Sequence, residues 1–339
     1  MNISSSRFLA NWAEVEPEIW QPRRMEHTED PALQVAQTLF DQPRWLDAQF
    51  LYNAVGSRLF EQICRLPEYY LTRTEDGILE RHAAAIIEAS DSNCLVELGA
   101  GYSIKTAHLL REIERRFARG EFVPIDVSRT ALMGSRDQVT RQFRRIRFKG
   151  LNSSYQRGIR VANDSRNKLV IFLGSSIGNL MRSDLIRFLH ELSGSMNVGD
   201  SLLLGVDRVK DRSLIEKAYD DSQGVTKAFI MNSLSSLNER FDTDFDSNKF
   251  EYAPRYNDNW QQMELYLRCQ EDHEVTFPPL KISMHWRRGE ELLVEVSRKF
   301  QPERLKRQFA CYGFDFVHEF TDEREWFSLL LFRKARKLD

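Results

Sequence analysis

The chain lacks most of the features that would tie it to a membrane, a nucleic acid or a metal ion. No stretch reaches the roughly 18 successive apolar residues that a membrane span requires. The opening residues, MNISSSRFLANWAEVEPEIW, carry neither the basic start nor the apolar core of a secretory leader. Cysteine is scarce: Cys64, Cys94, Cys269 and Cys311 are scattered, with no C-x-x-C pair and no histidine cluster at zinc spacing. Each reads as a small buried hydrophobe, so no metal is implied and a reducing, cytoplasmic compartment is expected. Net charge is almost absent, 48 Lys and Arg against 50 Asp and Glu, a formal -2. A nucleic-acid enzyme usually carries a strong basic stripe. The one basic run here, Arg141 to Lys149 (RQFRRIRFK), is more simply a solvated face. A small-molecule substrate and a monomer are the expectation, with no nucleic-acid and no membrane partner.

What is present is enough chain for two domains, 339 residues with 42% hydrophobic content. There is no internal repeat. The first 30 or so residues show no clear periodicity and read as a loosely packed arm. From about residue 74 a strand–helix alternation begins. Residues 75–89 have helical spacing, Cys94–Leu98 is a short buried strand, Gly99–Ser103 is a turn, and Lys105–Phe117 is a helix. Phe122–Asp126 is a second strand, Ile146–Phe148 a weaker third, Leu169–Leu173 a fourth and Leu202–Asp207 a fifth. Short apolar strands separated by helical stretches predict an α/β fold, a Rossmann-like doubly wound parallel sheet. After Asp207 the rhythm stops, and residues 208–270 are richer in polar and aromatic side chains. Alternation resumes at Leu292–Ser297, and the last strands, ending in Phe327–Phe332, read as returning to the main sheet. The expected domains are 74–207 with 300–339, and a substrate-binding domain from 20–73 with 208–299.

Three constellations carry chemistry. Val96-Glu97-Leu98-Gly99-Ala100-Gly101 runs a strand into a glycine turn at a helix start, where backbone can approach a ligand and free N–H groups point outward. A dinucleotide fold would place a third glycine where this chain has Ile104, which disfavours a pyrophosphate cofactor. Asp126, ending the second strand, suits the two hydroxyls of a ribose. Gly99, Gly101 and Asp126 therefore fit an adenosine ligand, and the missing glycine tilts it towards S-adenosylmethionine, which has no phosphate. Gly174-Ser175-Ser176-Ile177-Gly178-Asn179 follows the fourth strand, whose end faces the reacting methyl in such a fold. Asn179 there could orient an amino acid, donating to its carboxylate and accepting from its amine; a helix cap is the simpler alternative.

Five stretches resemble the histidine-specific N-alpha-methyltransferases of ergothioneine biosynthesis. They are Leu66–Glu75 (LPEYYLTRTE), Val96–Gly101, Phe172–Leu180 (FLGSSIGNL), Ala218–Asp221 (AYDD) and Glu295–Phe300 (EVSRKF). The resemblance runs in order from about residue 45 to the C-terminus; LPEYY-TRTE and LGSSIGN are its specific strings. It implies that Gly99, Lys105, Asp126 and Gly174 hold S-adenosylmethionine, and that Asn179 and Tyr219 grip the substrate carboxylate. It implies Tyr69, Glu295 and Ser297 around the imidazole, and Tyr52 near the amine. The implied product is trimethylhistidine (hercynine), with the protein positioning reactants rather than supplying a catalytic group. A carboxylate beside a hydroxyl is what reads an imidazole, which offers one donor and one acceptor, and Glu295 and Ser297, two apart on a strand, share a face.

Two departures bear on that carry-over. Many bacterial members have Gly-Asp-Phe after the third strand, with the Asp near the adenine. This chain has Ser154-Tyr155 there, so Tyr155 joins the cofactor set and adenine recognition leans on backbone groups. A methionine near the imidazole corresponds to Leu265. Three alternatives stand beside the histidine reading: a methyltransferase of tryptophan or tyrosine, a non-catalytic methyltransferase-like module, and a nicotinamide-dependent oxidoreductase, the last disfavoured by Ile104.

Overall fold

The computed structural model describes residues 11–23, 30–101, 103–162 and 167–337. Most of the expected arm and the turn residue Tyr102 lie outside the described residues. Contacts divide the chain into two compact units, one of residues 1–26, 73–208 and 300–339, the other of 27–72 and 209–299.

In the first unit, the strands Cys94–Leu98 and Lys168–Phe172 are buried at all five positions, and Ser201–Asp207 at all seven. A strand covered by helices on both faces must be apolar on both, which is why these segments read as unbroken runs rather than alternations. Leu95 enters one core with Ile86, Leu109 and Phe122; Val96 and Leu98 enter the other with Phe172, Phe188 and Leu204. The sheet runs Trp12–Glu16, Ile19–Pro22, Gly150–Asn152, Gly120–Asp126, Cys94–Leu98, Lys168–Phe172, Ser201–Asp207, Phe327–Lys334, Phe314–Thr321. Its middle pairings are parallel, and Phe327–Lys334 lies antiparallel between Ser201–Asp207 and Phe314–Thr321. Strand order reverses on either side of Cys94–Leu98. Ligands of doubly wound sheets bind in the crevice outside the strand ends at such a reversal.

Two features depart from expectation. The third strand is split: Ile146–Phe148 pairs the start of Gly120–Asp126, and Gly150–Asn152 pairs its end. Part of the arm is ordered, as an antiparallel hairpin whose Ile19 and Trp20 pair Gly150 and Leu151 in parallel. Residues 20–22, expected in the substrate-binding domain, therefore join this sheet. Trp12 and Ile19, both buried, drive that docking.

The second unit carries helices Pro31–Phe40, Ala54–Ile63, Arg212–Tyr219 and Val225–Phe241. Its sheet runs Phe250–Asn257, Gln262–Cys269, Glu291–Arg298, Arg44–Trp45, antiparallel except at the last pairing. The Leu292–Ser297 pattern is the third strand of this sheet. The Asp221 carboxylate accepts the N–H groups of Val225 (2.9 Å) and Thr226 (2.7 Å), which satisfies free donors at the start of the Val225–Phe241 helix.

Candidate active site

The glycine turn of the first unit is built as the sequence requires. Gly99 and Gly101 sit at φ +66° and +51°, the left-handed region that glycine enters without penalty. The space where a side chain would start is open at both, with nothing within 4 Å. Gly99 and Ala100 donate to the Ile125 carbonyl at 2.9 and 3.2 Å. Gly101 N–H donates to Asp126 Oδ2 at 2.8 Å, and Ser128 N–H to Oδ1 at 2.8 Å. Burial raises the Asp126 pKa, opposed by the N–H donors of Ser128, Gly101 and Val127. Each oxygen accepts at least one backbone N–H, and the remaining acceptor capacity of the carboxylate is what a ribose hydroxyl could use. Val127, next in sequence, is an apolar side chain 70% exposed.

Glu97 lies beneath the turn, fully buried. Thr106 Oγ1 donates to its Oε1 at 2.5 Å, while Oε2 meets no hydrogen-bond partner of normal geometry among the described residues. Burial lifts its pKa to about 7, against the pull of Thr106, Ser103 and Lys105. An S-adenosylmethionine offers a ribose diol, an adenine face and an ammonium group. The open glycine turn, the remaining acceptor capacity of Asp126 and the exposed Val127 suit the adenosine, and Glu97 Oε2 suits the ammonium. Ile104, at the position of a third glycine, is 68% exposed.

Lys105 and Gly174 are joined by a residue that the sequence reading quoted but assigned no role. The wholly buried Glu75 pairs with Lys105 Nζ and accepts the Gly174 N–H at 2.8 and 3.0 Å through its two oxygens. Gly205 makes room for it, since a first side-chain carbon there would lie 2.2 Å from Glu75 Oε1. The signal was a lone acid inside an amphipathic helix, which spacing alone reads as a surface charge. Gly174 at φ +72° and Ser175 at φ +57° form the tight turn ahead of Asn179, which ends the short helical turn Ser176–Asn179 and is half-buried. Tyr155 opens the helix Tyr155–Val161, and its ring packs on Phe172 (5.7 Å) and Phe188 (5.5 Å).

In the second unit five of the six substrate candidates gather. Rings link Tyr52 to Phe60 (5.6 Å), Phe60 to Tyr69 (6.4 Å) and Tyr69 to Tyr219 (6.1 Å). Tyr219 Oη lies 2.6 Å from Ser297 Oγ. Glu295 pairs Leu265 across the strands, and Ser297 pairs Met263, so these four share a face. Burial drives the Tyr69 phenol well above its ordinary pKa, helped by Tyr219, Cys64, Glu295 and Tyr52. Tyr52 stands apart as the accessible end of the chain, 42% exposed. One residue of this face was quoted in the EVSRKF string but given no role. Lys299 continues the alternation Glu295, Ser297, Lys299, and its Nζ donates to Tyr219 Oη (2.7 Å) and Ser297 Oγ (3.0 Å).

A doubly wound sheet with a glycine turn at its strand-order reversal is the arrangement of an S-adenosylmethionine-dependent methyltransferase. The family described as histidine-specific, SAM-dependent methyltransferase matches residues 31–334, and the chain belongs to it. It is 37% identical over 292 residues to a histidine N-alpha-methyltransferase of Mycobacterium tuberculosis, covering 86% of this chain and 91% of that one. It is 38% identical over 289 residues to the protein of the same name from Mycolicibacterium smegmatis, covering 85% and 90%. It is also 31% identical over 308 residues to ergothioneine biosynthesis protein 1 of Neurospora crassa, covering 87% of this chain and 34% of that longer one.

Proposed function

We propose that this methyltransferase acts on the α-amine of free L-histidine, up to three times, giving trimethylhistidine (hercynine) for ergothioneine biosynthesis. The observation that carries the reading is the polar row on one strand, Glu295 and Ser297 on a face shared with Leu265 and Met263, in a chain so similar to enzymes named for histidine. A carboxylate accepts from one imidazole nitrogen while a hydroxyl donates to the other. A site that hydrogen-bonds a polar side chain rejects acceptors lacking it far better than an apolar pocket does.

Bound S-adenosylmethionine supplies an electrophilic methyl on a sulfonium. Gly99, Gly101 and Asp126 are the residues that would hold its adenosine, Val127 would cover the adenine, and Lys105, Gly174 and Glu97 would serve its amino-acid end. Tyr219 and Asn179 grip the acceptor carboxylate in this reading, and Tyr52 and Tyr69 flank the amine and imidazole. None of them forms a covalent bond; holding a neutral amine in line supplies the rate. We also infer a monomer acting in a reducing cytoplasm, where the free thiols of Cys64, Cys94, Cys269 and Cys311 would persist.

The test is mass spectrometry of histidine incubated with enzyme and S-adenosylmethionine, with tryptophan and tyrosine as competitors. Mono-, di- and trimethyl forms should appear in succession, all on the α-nitrogen. Methyl groups on an imidazole nitrogen, or faster consumption of tryptophan, would reject the reading.

A further inference from the structure

Glu97 is 5% exposed on a strand, Cys94–Leu98, whose other residues are apolar. Its Oε1 accepts from Thr106 at 2.5 Å, while its Oε2 meets no hydrogen-bond partner of normal geometry among the described residues. A second carboxylate acts on it from the helix Tyr70–Ser90. This is the wholly buried Glu75, whose oxygens take the Gly174 N–H and the Lys105 ammonium. Lys105 acts on Glu97 as well, so one cation serves two acids. With all three ionised, two negative charges face one positive charge. Burying the surplus is unfavourable, and a proton removes it with least loss at Glu97, where an oxygen is unengaged.

We infer that the ammonium of the cofactor displaces a proton from Glu97, so that binding of the amino-acid end is coupled to proton release. The inference rests on the cofactor placement proposed above and specifies how that site is charged. The O–H bond of the neutral carboxyl breaks and its proton passes to the buffer. The carboxylate left behind accepts an N–H from the ammonium, which keeps all three of its own protons. The buried cluster thus exchanges a mobile positive charge for one fixed on the ligand, and its balance is unchanged.

The surroundings set the pH at which this exchange occurs. Burial pushes the Glu97 pKa up to about 7; Thr106, Ser103 and Lys105 oppose the rise, and the charge of Glu75 adds to it. Two further titratable groups lie on neighbouring elements. Asp126, at the end of Gly120–Asp126, is raised by burial and holds the glycine turn through Gly101. His108, in the helix that Thr106 precedes, lies 3.2 Å from Asp76 Oδ1. Asp126 belongs to the ribose end and not to the ammonium, so a ligand without an amino-acid end isolates its contribution.

The experiment is calorimetric titration with two ligands. S-adenosylhomocysteine carries the ammonium without the sulfonium charge; methylthioadenosine carries the same ribose and adenine but no ammonium. Near pH 7, in two buffers of different ionisation heat, S-adenosylhomocysteine should release about half a proton, because a group of pKa about 7 is half protonated there. Its Kd should fall about tenfold between about pH 6 and about pH 8. Methylthioadenosine should show neither effect beyond a small share from Asp126. Glu97→Gln should flatten the S-adenosylhomocysteine profile and weaken binding at the alkaline end by about 10- to 100-fold, the loss of a hydrogen bond between charged groups. Its unchanged methylthioadenosine affinity reports an intact protein, and the wild-type comparison of the two ligands carries the test if the variant does not fold. A wild-type Kd that is flat with pH overturns the inference, and so does proton release retained in Glu97→Gln. If the profile is flat yet Glu97→Gln still binds weakly, the placement of Glu97 stands and only the proton coupling fails. If Glu97→Gln binds as the wild type does at every pH, the placement itself fails and takes the inference with it.

Discussion

Gly101 N–H donates to Asp126 Oδ2 at 2.8 Å, so the glycine turn and the carboxylate proposed for the ribose are one mechanical object. The same carboxylate holds Ser128 N–H. Its removal releases both loops proposed to frame the adenosine.

Asp126→Ala is accordingly expected to weaken S-adenosylmethionine binding by about 1.5–3 kcal/mol, the scale of a hydrogen bond to a charged group. Asp126→Asn, which keeps one acceptor oxygen, should lose less. Calorimetry on the two variants checks the order, and equal affinity for Ala and wild type would remove Asp126 from the ribose site.

Glu97 makes stability depend on pH. Its pKa rises from 4.5 to about 7 on folding, because burial penalises the charge. The folded state therefore binds the proton more tightly than the unfolded chain. The resulting stability is fully present below pH 4.5 and is lost as pH rises through about 7. Glu97→Gln, which cannot ionise, should abolish this loss, a difference of a few kcal/mol at most at alkaline pH. Thermal melts of the ligand-free protein across that window measure it; parallel profiles for the two proteins would contradict it.

Gly205→Ala probes the buried brace. A methyl group 2.2 Å from Glu75 Oε1 must displace the carboxylate that holds Lys105 and Gly174. Overpacking of this kind costs about 1–3 kcal/mol, and S-adenosylmethionine affinity should fall with it. A variant as stable and as tight-binding as the wild type would show that the brace does not support the cofactor loops.

Selectivity turns on Glu295 and Ser297. Removing Glu295 and Ser297 together deletes one hydrogen bond with a charged partner, about 1.5–3 kcal/mol, and one neutral bond, about 0.5–1.5. The double Ala variant should lower kcat/KM for histidine by about 30- to 1000-fold. Tryptophan, whose indole has no acceptor for Ser297, should lose far less, and the apolar Leu265 opposite Glu295 favours it. Parallel loss for both amino acids, with cofactor binding intact, would mean that the pair supports only the shape of the pocket.

The α/β class, the glycine turn and Asp126 were legible in the chain because each follows from local spacing. Apolar runs, a turn that needs positive φ and a strand-end carboxylate all lie within a few residues of one another. The family strings added the second unit's candidates, which periodicity alone would have left as packed aromatics and a surface acid. What the linear reading missed involves partners far apart in the chain. Glu75 reads as a helix-surface charge until Gly174 and Lys105 arrive beside it. The hairpin at Trp12–Pro22 reads as a loose arm until Ile19 meets Gly150.

Lys299 marks the division most clearly. Strand alternation by itself determines that Glu295, Ser297 and Lys299 share a face, since side chains two apart point the same way. It says nothing of which face is buried or of what comes to meet it. Only the tertiary structure decided that, by bringing Tyr219 from the end of a separate helix to within 2.7 Å of a buried ammonium. Two members of this triangle, Ser297 and Lys299, lie two residues apart in the chain, but the third, Tyr219, is 80 residues from Lys299 and is placed only by the fold.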